Sequence, residues 1–221
     1  MTFHPLDRPA WSALTTRQAS FAIGDARALR FDPAYGLFAA SADRAGAGLA
    51  ALADGPIGLV EPDLPPVPAG LVLVSSALCH QMVAETIVAR DSAIAILPLG
   101  DDDAPDMLAL ATLTKPGPFF ARTHRMGAFV GVKVDGRLVA MAGERMKPSG
   151  FTEVSGVCTH PDHRGKGYAA VLMAHVARAI LARGEVPFLH SYSHNDGAIA
   201  LYERMGFRLR RQVVYTVLAR G

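Results

Sequence analysis

The chain has 221 residues, enough for one large domain or two small ones at about 150 residues per domain. Half of the residues are apolar and 19% are charged, which excludes disorder and collagen-like arrays as the main state, and no apolar run approaches a membrane span. The net charge of +2 is too small for a general nucleic-acid binder, but it is uneven: six Lys and Arg face nine Asp and Glu in residues 1–91, four face five in 92–136, and twelve face six in 137–221. An anionic ligand belongs to the last third.

The start, MTFHPLDRPAW, mixes charges and lacks an apolar segment, so it does not read as a secretory signal. Cys79 and Cys158 permit at most one disulfide and no paired zinc spacing, which makes the cytoplasm the default compartment. Pro9 suits the first turn of a helix over Pro9–Ser20. Strand-like runs follow at Ser20–Phe31 and Tyr35–Ala40, then an Ala-rich helix near Asp43–Ala53 and a strand at Ile57–Val60. Four prolines make Glu61–Gly70 a connector, after which Leu71–Ser75 reads as a strand and Leu78–Arg90 as a helix. Residues 1–91 carry no catalytic signature and are expected to form an accessory α/β region.

From residue 92 the punctuation is regular. Ala93–Leu99 is a strand, and the acidic run Asp101–Asp103 caps a helix over Ala104–Leu113 that Lys115-Pro-Gly-Pro ends. Gly127–Val134 and Arg137–Glu144 flank Asp135-Gly136, the dipeptide of a type I′ hairpin. Phe151–Thr159 is a strand, and Gly167–Arg183 is a helix with apolar positions Val171, Leu172, Val176, Ala179 and Ile180, closed by Gly184. Val186–Tyr192, Asn195–Met205 and Phe207–Leu218 read as strand, helix and strand. Helices alternating with strands after an antiparallel hairpin indicate a mixed α/β sheet.

The chemistry is most legible in Val157-Cys-Thr-His-Pro-Asp-His-Arg-Gly-Lys-Gly-Tyr-Ala169, a strand running through a basic, glycine-rich turn into a helix. Gly165 and Gly167 allow positive φ and let successive N–H groups face phosphate oxygens, the helix N-terminus adds its dipole, and Arg164 and Lys166 add charge. The stretch is neither a P-loop nor a Rossmann fingerprint. It resembles the acyl-CoA signature of the GNAT acetyltransferase superfamily, Q/R-x-x-G-x-G/A. A second stretch, from Asn195 through Ala198, Leu201 and Tyr202 to Gly206-Phe207, is similar to the family's N-x-x-A-x-x-L-Y-x-x-x-G-F block. Around Ala140–Arg145 and Cys158–Pro161 the likeness is to the glycine N-acyltransferase-like branch. It covers about residues 92–221, the expected catalytic domain, and leaves residues 1–91 as either a divergent half-GNAT unit or a cap.

The resemblance implies a GNAT fold with a mixed, mostly antiparallel sheet and a V-shaped split between Phe151–Thr159 and Val186–Tyr192 that takes acetyl-CoA or another acyl-CoA. Backbone groups near Val157 and Thr159 would pair with the pantetheine arm. The N–H groups from Arg164 through Gly165, Lys166, Gly167 and Tyr168 to Ala169 would hold the pyrophosphate, and Asn195 would bond the arm from the other side. An N–H near Val157 or Cys158 would polarise the thioester carbonyl. An amine, of a small molecule or a protein, would attack directly.

A protonated alkylamine needs a base and the leaving thiolate benefits from an acid. Glu153 is the base candidate: alternation puts it on one face with Ser155 and Val157, and it matches the catalytic glutamate of the histone acetyltransferase branch. Tyr202 is the acid candidate, where the family commonly places a tyrosine. Glu144 is a rival base, and His190 and His194 are candidates for the acceptor site or a proton relay. Cys158, His160 and His163 lack a convincing fourth metal ligand, so no metal is expected. The basic tail Arg204, Arg208, Arg210, Arg211 lacks interleaved aromatics or a reading helix, so no nucleic acid is expected as a partner, and without a long apolar run no membrane is expected either. A longer acyl chain, an O-linked acceptor and a catalytically silent acyl-CoA-binding module are the alternatives, and residues 1–91 are the expected source of acceptor specificity or homodimer contacts.

Overall fold

In the computed structural model, which describes residues 4–88 and 92–221, Pro9 opens helix α1 (Pro9–Thr15). The helix stops short of the expected Ser20. The hydroxyls of Thr15 and Thr16 donate to the carbonyls of Trp11 and Ser12, a local alternative to further helical turns. The run expected as one strand over Ser20–Phe31 is a hairpin, β1 (Ala22–Gly24) and β2 (Ala28–Phe31), turned at Gly24 with φ +131°. β3 (Ala39–Ser41) completes a three-stranded sheet. The helix expected near Asp43–Ala53 shrinks to α2 (Leu49–Leu52), because the Asp43 carboxylate takes the amides of Ala45 and Gly46 and the chain passes through positive φ at Arg44, Gly46 and Gly48.

β4 (Ile57–Glu61), the irregular connector and β5 (Leu71–Val83) follow. β5 corrects the expected helix over Leu78–Arg90, whose end lies outside the described residues: Leu78–Val83 extends the strand. Its C-terminal half lies between two other strands and is buried there, a placement that the short mixed run Leu78–Val83 does not reveal by its own periodicity. The strand expected over Ala93–Leu99 is confined to β6 (Leu97–Leu99). Then come α3 (Ala104–Thr114), the hairpin β7 (Phe129–Val134) and β8 (Arg137–Glu144), β9 (Phe151–Thr159), α4 (Tyr168–Ala182), β10 (Val186–Tyr192), α5 (Asp196–Arg204) and β11 (Arg208–Arg220). The hairpin turn has positive φ at both Asp135 and Gly136, as type I′ requires.

Eight strands form one sheet in the order β4-β11-β5-β10-β9-β8-β7-β6, antiparallel except between β9 and β10. β4 and β5 pair with β11, and β5 also with β10, so strands from both sides of residue 91 share this sheet. The parallel pair β9/β10 holds only from Val186↔Phe151 to Phe188↔Glu153; beyond it the strands diverge, which is the V-shaped split. On one face α4 buries Leu172, Met173, Val176, Ala177 and Ile180 against β7, β8 and β10, although Ala179 of the expected apolar stripe is exposed. On the other face Leu6, Ala13 and Leu14 pack with Phe31, Phe38, Phe188 and Val213. No helix among the described residues is long and apolar enough to cross a membrane.

Candidate active site

β9 is kinked where the split opens. Cys158 pairs with Met141 and Ser155 with Gly143, so three steps along β9 oppose two along β8. The extra residue is accommodated at Gly156, φ +63°, where an added Cβ would also come within 2.8 Å of the Phe129 ring. Such a bulge re-aims the strand's groups, here at Val157, toward the gap left by β10. Sequence reasoning missed Gly156, whose only signal is a glycine inside a strand pattern.

Past the bulge lies a cleft lined by every residue expected on the cofactor side: Val157, Cys158, Thr159, Arg164, Gly165, Lys166, Gly167, Tyr168, Ala169 and Asn195. Gly165 (φ +77°) and Gly167 (φ +80°) take the conformation that L side chains avoid, and a Cβ on either would meet only open space. One expectation is corrected: the Arg164 amide donates to the Pro161 carbonyl at 3.3 Å and is not free. The amides of Gly165, Lys166 and Gly167 make no backbone hydrogen bond among the described residues, and those of Tyr168, Ala169 and Ala170 open α4, where a helix has no internal partner for them. Neither Arg164 nor Lys166 has a carboxylate partner among the described residues; the Lys166 Nζ lies 3.4 Å from His163 Nδ1. The Oδ1 of Asn195 accepts the Ala198 amide at 3.4 Å and caps α5, and its NH2 group has no hydrogen-bond partner among the described residues. These are the features a phosphate-bearing ligand requires.

Tyr202, on α5, lines this cleft and a second, adjoining cavity. Burial raises its pKa, so the phenol stays protonated at neutral pH.

The second cavity reaches the other side of the split, where Glu153 is buried. Both carboxylate oxygens accept from Arg145 at 2.9 Å, Oε1 accepts from His190 Nδ1 at 2.8 Å, and the Met146 amide lies 3.3 Å from Oε2. Burial pushes the carboxyl pKa up, but the Arg145 guanidinium and the His190 bond overcome it and hold it at about 2. A carboxylate so held is a weak proton acceptor. His190 Nε2 lies 3.2 Å from the Gln81 amide nitrogen. The Gln81 orientation is fixed from its far side, since Arg210 donates to Oε1 at 2.8 Å and is itself paired with Asp7 at 2.7 Å. Arg145 also stands 4.6 Å over the Phe38 ring. Phe38, Val60 and Cys79, from the first 91 residues, wall the cavity together with Tyr192, Val213 and Tyr215, and Lys115–Pro118 forms its rim.

The rival base Glu144 lies outside both cavities, paired with Arg183 at 2.7 Å and Lys147 at 2.8 Å. His194 stacks on Tyr192, 5.5 Å between ring centroids. The basic tail is largely neutralised, Arg208 by Glu85 and Arg210 and Arg211 by Asp7. Arg145, Gln81 and Phe38 could not have been found from sequence, because they stand on three separate segments and match no motif.

A family model described as FR47-like protein matches residues 129–216. Among solved structures, a GNAT-family protein from Novosphingobium aromaticivorans is 48% identical, with a TM-score of 0.95 over 99% of this chain and 100% of that one, so the likeness takes in residues 1–91. A GCN5-related N-acetyltransferase from Kribbella flavida superposes with a TM-score of 0.62 at 17% identity, over 95% of both chains. A GCN5-related N-acetyltransferase-like protein from Streptococcus suis gives 0.61 at 16%, over 95% of this chain and 92% of that one. At such identities these two speak for the fold alone. No curated protein matches the chain.

Proposed function

Because this chain belongs to the GNAT family, we propose that it transfers an acetyl group from acetyl-CoA to the nitrogen of an amine by direct attack within a ternary complex. The cradle carries this reading: amides from Gly165 to Ala170 with no backbone partner among the described residues, flanked by Arg164 and Lys166, which have no carboxylate partner among them, opening on the split between β9 and β10. Acetyl-CoA, when bound, supplies an acetyl group activated as a thioester. The cradle amides and the two cations hold phosphate oxygens, Asn195 bonds the arm through its free NH2, and the bulged backbone at Val157 donates to the carbonyl oxygen as charge develops there. Tyr202, protonated and placed between the two cavities, gives its proton to the departing sulfur and recovers one from solvent. Glu153 takes no proton in this scheme; it neutralises Arg145 and fixes the His190 ring as part of the cavity wall.

The division of labour we propose puts the transferase machinery in residues 92–221 and acceptor recognition partly in residues 1–91, through Phe38, Val60 and Cys79. Within the family we favour the glycine N-acyltransferase-like branch, on the residues Ala140–Arg145 and Cys158–Pro161. Calorimetry with acetyl-CoA, beside thiol release over an amine panel, tests the function. Binding lost in Gly167→Glu and turnover with at least one amine are expected; unchanged affinity in that variant would sink the cradle assignment.

A further inference from the structure

The acceptor cavity holds charges and titratable groups, yet those at its floor are committed. Glu153 is its one carboxylate among the described lining residues, and it is closed off by Arg145 and His190. His190 donates from Nδ1 to Glu153, and its Nε2 lone pair receives the Gln81 N–H, whose flip is blocked by Arg210 on Oε1. Both ring nitrogens are therefore occupied, and no lone pair is turned to an incoming amine. The remaining ionisable groups facing the space are Cys79 on β5, Tyr192 on β10, Tyr202 on α5 and Tyr215 on β11. Burial raises all four, Cys79 to about 11 and Tyr215 to about 12, so all enter the reaction protonated. Lys115 at the rim adds positive charge.

Two consequences follow from this arrangement. Among the described lining residues a protonated acceptor meets no side chain that can take its proton, and a cationic acceptor meets no free carboxylate to attract it. An alkylamine with the basicity of a Lys side chain, pKa about 10.4, is neutral in only about one molecule in 2,500 at pH 7, whereas an α-amino group at about 7.7–8.0 is neutral in roughly one in ten. The walls offered by Phe38, Val60, Tyr192, Val213 and Tyr215 suit an apolar or aromatic body.

We infer that the acceptor is a weakly basic primary amine on an apolar or aromatic body, one that sheds its proton to solvent before it enters. The inference rests on the acetyl transfer proposed above. The C–N bond forms as the C–S bond breaks, the nitrogen's proton goes to water, and the thiolate's proton comes through Tyr202, so the balance closes through solvent.

The test uses the full chain, acetyl-CoA and four acceptors: phenylalaninamide, 4-ethylaniline, its isomer phenethylamine, and spermine. At pH 7, kcat/KM for phenylalaninamide is expected to exceed that for phenethylamine by at least about 10-fold, with spermine no better than phenethylamine. For phenethylamine, kcat/KM is expected to rise about tenfold per pH unit from roughly pH 6 to 9 without a plateau, and 4-ethylaniline is expected to give a flat profile over the same range, because no protein group titrates in the step. His190→Asn should leave the shape of both profiles unchanged. A plateau for phenethylamine with an inflection between about pH 6 and 8, lost in His190→Asn, would overturn the inference, as would preference for phenethylamine or spermine. Those outcomes leave acetyl transfer standing. Absence of thiol release with every acceptor, or of acetyl-CoA binding, overturns the parent reading and this one with it.

Discussion

Among the described residues Arg164 and Lys166, in the turn before α4, have no carboxylate partner, whereas Arg145 and Arg210, on the Glu153 side of the same split, are each held by a carboxylate. The first pair lies in a contiguous glycine-rich turn at a helix N-terminus. The second belongs to a network that runs from Glu153 through His190 and Gln81 to Asp7, crossing from β9 to the N-terminal segment. Charge left without a partner awaits one from a ligand. Charge already paired makes a fixed wall, and removing one member exposes the cost of burying the other.

Substitutions on the two sides should therefore fail in different ways. The largest effect is expected from Arg145→Ala, which strands the fully buried Glu153 carboxylate and should cost about 3–5 kcal/mol of folding stability in urea titration, with the double variant Arg145→Met/Glu153→Leu regaining most of it. Undiminished stability in Arg145→Ala would break the contrast. Gly167→Glu places a carboxylate and a strained backbone in the turn before α4 and should weaken acetyl-CoA binding by about 10³-fold, near 4 kcal/mol, by calorimetry, while the strain, about 1–2 kcal/mol, lowers its melting temperature by only a few degrees. Next, Tyr202→Phe should lower kcat by about 100-fold without changing the acetyl-CoA Kd, since it removes a proton donor and no binding contact to phosphate. Arg164→Ala, one solvated contact among several, should weaken binding by about 10-fold, more at low salt than at high.

A pH series sharpens the same contrast. The pKa of Glu153 is held down from 4.5 to about 2 in the folded protein, so its contribution to stability is present above about pH 4.5 and is lost as the pH falls toward 2. The stability difference between the parent chain and Glu153→Gln should narrow across that window and stay constant above it, as followed by urea unfolding at each pH.

Between β7 and β11 the expected elements lie close to the observed ones, because each is bounded by its own punctuation: Asp135-Gly136, Gly167, Gly184 and Gly206 all adopt the positive φ that their positions invited. In the first 91 residues the signals were weaker and the outcome less local. β5 takes its strand form from β10 and β11, which lie more than a hundred residues away in sequence, and short-range periodicity does not separate a buried strand from a buried helix. The same holds at the site. The sequence names residues that do line one cleft, Val157 to Thr159, Arg164 to Ala169 and Asn195, because they sit in contiguous segments, whereas in the adjoining cavity it names Glu153, Tyr202 and His190 by position and without the contacts that hold them.

The sequence by itself determined the glycine-rich turn and helix start before α4, since positive φ and a helix N-terminus follow from local spacing, and it placed the strands from β7 onward by the same short-range rules. Tertiary structure alone decided the chemistry of Glu153. A carboxylate on a strand face is a candidate base until Arg145, His190 and Gln81 arrive from other segments, and their charge and hydrogen bonds turn it into an anchored anion.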